Sequence, residues 1–120
     1  MREDLFSSGG AESGEFSFND ENEKYAKQVI AKYPVGRQAS ALIPLLDLAQ
    51  RQNSDWLPSS AIEYVAKFIG VPVTRAYEVA SFYSMFALKP RGKFLIQICK
   101  TTPCWLRGSD RLRESCLANL

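Results

Sequence analysis

The sequence predicts a mainly α protein: a helical bundle over residues 18–90, then the first βα unit of a second domain over residues 91–120. Three observations carry this. Apolar residues recur at i, i+3, i+4 and i+7 in successive blocks between residues 18 and 86, the period of a helix with one buried face. Proline and glycine punctuate the blocks, as helix ends require. At residues 93–99, "KFLIQIC", the period changes to two, which signals a strand.

Residues 1–17 contain "SSGGAESGE" and read as a mobile tail, since small polar residues bury too little surface to offset ordering. Residues 18–33, "FNDENEKYAKQVIAKY", form the first helix. Asn19 or Asp20 can cap it, and Asp20, Glu21 and Glu23 suit the positive end of its dipole. Ala26, Val29, Ile30 and Tyr33 make its buried stripe, and Pro34 and Gly36 end it. Residues 40–52 follow with Leu42, Leu45, Leu46 and Ala49 inward and Ser40 as N-cap; Asn53, Ser54 and Asp55 make the turn. Residues 58–69 open on Pro58, with Ser60 and Glu63 as a capping box. Ile62, Val65, Ala66 and Ile69 line their inner side, and Gly70 is the C-cap glycine. Residues 73–86, "VTRAYEVASFYSMF", form a fourth helix capped by Thr74, with Tyr77, Ala80 and Met85 inward. After the strand, residues 103–118 read as one last helix with Leu106, Leu112, Cys116 and Leu117 apolar. A lone strand leaves its backbone groups unpaired on both edges, so its sheet is expected to lie outside this chain.

Bulk numbers narrow the function. The chain has 120 residues, 46% hydrophobic and 23% charged, with net charge +2. Nothing there calls for nucleic acid or an anionic membrane surface. No apolar run approaches the roughly 20 residues of a membrane span, and the acidic N-terminal segment resembles neither a secretory signal nor a transit peptide. A cytoplasmic location without membrane insertion is expected. There is no histidine to activate Ser81 or Ser84, and no glycine-rich phosphate loop. Three cysteines, an odd number, argue for a reducing compartment.

Chemistry can reside in the stretch "ICKTTPCWLRGSD", residues 98–110. The strand delivers Cys99 to its end, "KTTP" turns the chain, and Cys104 opens the helix. A helix N-terminus lowers thiol pKa and donates hydrogen bonds to sulfur, which suits iron–sulfur ligation. The spacing by itself favours the plainer reading of two unrelated buried cysteines. A thioredoxin-type redox pair wants C-x-x-C, and a zinc knuckle wants closer pairs and four ligands. Arg107 stands where a plant-type ferredoxin would place its third cysteine. Cys116, on the stripe of Leu112 and Leu120, reads as a small core residue.

The stretches "YPVGRQASALIPLLDLAQRQ", "AIEYVAKFIGVP", "RAYEVASFYSMF" and "GKFLIQICKTTPCWLRGSD" occur in this order. Together they resemble the small [2Fe–2S] subunit of NADH:quinone oxidoreductase, respiratory complex I, and related subunits of NAD-linked hydrogenases and formate dehydrogenases. The resemblance covers residues 18 to about 118. It implies a helical bundle followed by a thioredoxin-like ferredoxin domain, here incomplete. It implies a [2Fe–2S] cluster with Cys99 and Cys104 as iron ligands, and Lys100, Thr101 and Thr102 offering backbone N–H groups near sulfur. The family's other two ligands come later, in a "C-L-G-A-C" segment that this sequence lacks; a fragment or short form is expected. The implied partners are a flavin- and NADH-binding subunit and other peripheral-arm subunits of the complex, itself peripheral to the inner membrane, with the mitochondrial matrix as the alternative location. The rival expectation is a non-redox docking module of the same assembly, with vestigial thiols.

Overall fold

The computed structural model describes residues 14–120. Most of the expected tail lies outside the described residues. Of its last part, Phe16 is half-buried, with its ring 5.6 Å from that of Tyr64.

Six α-helices follow: α1 (Asp20–Ala31), α2 (Leu42–Gln52), α3 (Ser59–Ile69), α4 (Val73–Phe82), α5 (Thr102–Leu106) and α6 (Ser109–Asn119), with a 3-10 turn at Gln38–Ala41 before α2. The first four form the bundle, with α3 packed between α2 and α4 and α1 laid on α2. Their inner stripes are those the apolar spacing predicts: Ala26 and Val29, then Leu42, Leu45, Leu46 and Ala49, then Ile62, Val65, Ala66 and Ile69, with Ala76 and Ala80 from α4. Phe18 closes one side through edge-on contacts with Tyr64 and Phe68, at ring separations of 5.2 and 5.6 Å, a favoured aromatic geometry.

The caps explain the helix boundaries. The Asn19 side chain accepts from the Asn22 N–H at 2.8 Å, as the sequence predicts. Gly70 ends α3 in the left-handed region at φ 78°, and the Gly70 and Val71 N–H groups both reach the Ala66 carbonyl. The other expected caps are not used. Ser40 lies within the 3-10 turn; α3 and α4 begin after Pro58 and Pro72, with no side-chain cap from Ser60 or Thr74.

Helix α4 is shorter than its apolar pattern. It stops at Phe82, where Tyr83 turns extended (φ −82°, ψ 118°). The reason is a tertiary competitor for the next backbone groups. Gln50, buried in α2, donates from Nε2 to the Met85 carbonyl at 3.1 Å and accepts at Oε1 from the Ala87 N–H at 2.8 Å. The Leu57 N–H adds a bond to the Ala87 carbonyl at 2.7 Å. The segment is thereby drawn across the bundle with Phe86 buried, while Met85, expected inward, is 45% exposed.

The C-terminal third departs most from expectation. No strand forms among the described residues, so the βα unit is not seen. Residues 93–99 carry a strand pattern, but no second strand lies beside them to complete a ladder. The predicted single helix is two, α5 and α6, because Gly108 adopts φ 100° between them. These two pack on each other and on none of α1–α4. Phe94, Leu95, Ile96, Leu112, Leu117 and Leu120 are all exposed. Protection from amide exchange tracks burial and stable hydrogen bonding, so hydrogen exchange should show slow amides in α2 and α3 and fast exchange from Phe94 onward. Equal protection at both ends would place a second core where this structure has none.

Candidate functional site

Both candidate thiols lie on the arm that leads into α5. Cys99 is exposed and sits just before the helix; Cys104 is half-buried and is the third residue of α5. Pro103 suits the first turn of α5 because its missing N–H would have no helical acceptor there. Thr101 stands at the N-cap position in extended conformation, yet its side chain does not cap the helix. Its Oγ1 lies 3.1 Å from Cys99 Sγ instead.

That contact sets the electrostatics of the pair. The Thr101 hydroxyl, then the Thr101 N–H and the Cys104 thiol, hold Cys99 below the ordinary thiol range. Cys104 is pushed up, first because its thiol bonds to Cys99, next because of negative charge on Cys99, and last by desolvation. These opposite directions favour thiolate at Cys99 over Cys104. Thiolate is the alkylating species, so as pH rises iodoacetamide should label Cys99 first and Cys104 only at higher pH. Thr101→Val should move the Cys99 profile upward. Cys104 labelling ahead of Cys99 would overturn this order.

Of the residues expected around the sulfurs, Thr101 supplies the contacts, through its hydroxyl as well as its N–H. The hydroxyl is not among the donors expected from the sequence, which are all backbone groups; a threonine two residues after a cysteine is the signal that points to it. Lys100 and Thr102 are exposed on either side of it. Cys116 is not brought to the pair. It is half-buried in α6 beside Ile96, Ile98, Leu117 and Leu120, around a depression of about 250 Å³. Among the described residues, no three side chains of the His, Cys, Asp or Glu type converge on one point.

Two thiols at the start of α5, Cys99 being the one favoured as thiolate, are the donor type that a [2Fe–2S] cluster takes, with four thiolates for its two irons. The family model for thioredoxin-like [2Fe–2S] ferredoxins matches residues 26–120. This chain belongs to that family. Among curated relatives, it is 58% identical over 105 residues to an NADH-quinone oxidoreductase subunit from Rickettsia bellii, covering 88% of this chain and 63% of that protein. It is 57% identical over 101 residues to the protein of the same name from Rickettsia conorii, covering 84% of this chain and 60% of the relative. A mitochondrial NADH dehydrogenase [ubiquinone] flavoprotein 2 from Dictyostelium discoideum is 48% identical over 105 residues, 88% of this chain and 42% of its own length. The chain thus spans less than two thirds of the length of each. No helix among the described residues is long and apolar enough to cross a membrane.

Proposed function

We propose that this chain is an electron-transfer component of an NADH dehydrogenase assembly, carrying electrons on the path from NADH to quinone. The carrying observation is the placement of Cys99 just before α5 and Cys104 within it, with Thr101 Oγ1 3.1 Å from the Cys99 sulfur, in a family that takes its name from a [2Fe–2S] cluster. Cys99 and Cys104 would hold one iron, and Lys100, Thr101 and Thr102 would present N–H groups to sulfur. When bound, the cluster supplies a one-electron carrier whose potential responds to those hydrogen bonds. The cluster's remaining ligands would come from sequence corresponding to the part of the relatives that this chain does not span. The names of the relatives support this reading.

The chain's own surface fits a protein that docks. Phe82, Tyr83 and Met85 are 79%, 40% and 45% exposed beside one another, with the rings of Phe82 and Tyr83 edge-on at 5.1 Å. With Arg75, Glu78, Val79 and Ser81, the two rings border a shallow depression of about 510 Å³. We assign this face to the flavin- and NADH-binding subunit, with the remaining peripheral-arm subunits as neighbours; the assembly would sit peripherally on the membrane.

A chimera tests the cluster assignment. Residues 1–120 are joined to the C-terminal remainder of the Rickettsia bellii relative and reconstituted anaerobically with iron and sulfide. The chimera should gain red-brown absorption and a reduced-state electron paramagnetic resonance signal. Cys99→Ala and Cys104→Ala should each abolish both, whereas Cys116→Ala should keep them. Residues 1–120 alone should retain almost no colour after desalting. A cluster that survives loss of either Cys99 or Cys104 would sink the assignment.

A further inference from the structure

We propose that Thr101 is a positioning residue of the candidate iron site, its hydroxyl donating a hydrogen bond to iron-bound Cys99 Sγ and thereby raising the site's reduction potential. This role rests on the cluster reading given above and adds a side-chain donor to its backbone N–H groups. Thr101 Oγ1 lies 3.1 Å from Cys99 Sγ, within reach of an O–H···S bond. Thr101 also holds the N-cap position of α5 in extended backbone, φ −68° and ψ 161°, yet its side chain makes no capping bond there. An N-cap hydroxyl ordinarily accepts from the N–H of the second or third helical residue. In α5 the second residue is Pro103, which has no N–H. One of the two usual partners is therefore missing, and the hydroxyl turns to sulfur.

Chemistry fixes the direction of the bond. In the free chain either atom can donate, because a thiol and a hydroxyl each carry one proton. A metal-bound cysteine is a thiolate and has no proton left, so the hydroxyl becomes the donor. Hydrogen bonds to a charged acceptor are stronger than those between neutral groups. Reduction adds negative charge at the site, so a donor on sulfur favours the reduced form, one of the ways in which hydrogen bonding sets iron–sulfur potentials. Cys99 and Thr101 are both exposed. No core packing depends on the hydroxyl, and its removal probes the bond rather than the fold. Water that replaced it would first have to be immobilised, whereas Thr101 is tethered two residues along the chain.

The test uses the loaded chimera of residues 1–120 with the remainder of the Rickettsia bellii relative, in a redox titration followed by electron paramagnetic resonance. Thr101→Val keeps the shape of the side chain and suits the extended backbone, but lacks the hydroxyl. Its equilibrium constant for reduction should fall by about tenfold, a potential lower by about 59 mV for a one-electron couple. Thr101→Ala, which also lacks the hydroxyl, should match it. Thr101→Ser restores the donor and should return the potential to the parent value. Potentials in Thr101→Val and Thr101→Ala that stay at the parent value would overturn the role of Thr101 and leave the cluster reading intact. A Thr101→Ser potential as low as that of Thr101→Val would do the same, since the effect would then follow the methyl group and not the hydroxyl. A parent chimera that takes up no cluster would sink the cluster reading, and this role with it.

Discussion

Leu45→Ala should cost about 3 kcal/mol of stability, within the 2–5 kcal/mol range for emptying a buried leucine site. Leu45 has no exposed surface and lies on the inner stripe of α2, the helix that meets α1, α3 and α4. Small domains have only about 5 kcal/mol or a little more in hand, so the variant should be partly unfolded near body temperature, with its melting temperature lower by roughly 10–20 °C. A thermal melt followed by far-ultraviolet circular dichroism measures this. Leu117→Ala is the matched control: Leu117 is 68% exposed on α6, and surface substitutions usually fall within about 0.5 kcal/mol. Comparable losses at the two positions would mean that the core does not centre on α2.

Phe82→Ala and Tyr83→Ser should weaken binding of residues 1–120 to a cognate flavin-bearing subunit by about tenfold or more, since aromatic anchors at interfaces are worth about 2 kcal/mol or above. Both side chains are exposed in the free protein, so helical content should stay at the parent level. Isothermal titration or co-purification gives the affinity. Parent-like binding by the double variant would move the docking surface elsewhere. Gln50→Leu offers an indirect route to the same surface. It leaves the Met85 carbonyl and the Ala87 N–H without their buried partner, loosening the segment that shows Tyr83 and Met85 to solvent.

The bundle was legible in the sequence because its determinants are local. A stripe such as Ile62, Val65, Ala66 and Ile69 follows from helical period alone, and Gly70 follows from the left-handed conformation that ends α3. What escaped depends on groups far apart in sequence. The end of α4 is fixed by Gln50, 35 residues before Met85; its sequence signal was only a glutamine beside the apolar stripe of α2. The break between α5 and α6 was encoded in Gly108, a residue the apolar pattern allowed to be read through. The strand at residues 93–99 failed for a different reason. Alternation specifies which side chains could face a core, but a ladder needs a second strand. In the candidate site, the C-x4-C spacing located both thiols, while the Thr101 hydroxyl contact required the fold of the arm.

The separation of α1–α4 from α5 and α6 has a consequence for synthesis. Every contact within the bundle core lies N-terminal to the cysteine arm. As the chain leaves the ribosome, the bundle can therefore complete its packing before Cys99 emerges, and N-terminal units fold first in this vectorial way. The arm that follows arrives with Phe94, Leu95 and Ile96 uncovered, beside a finished scaffold that offers them no shelter. Unpaired, apolar, strand-prone segments are the ones that associate wrongly during biogenesis. The hazardous interval in the life of this polypeptide thus falls between the folding of residues 18–88 and the covering of residues 94–120, and that is where a chaperone would engage it.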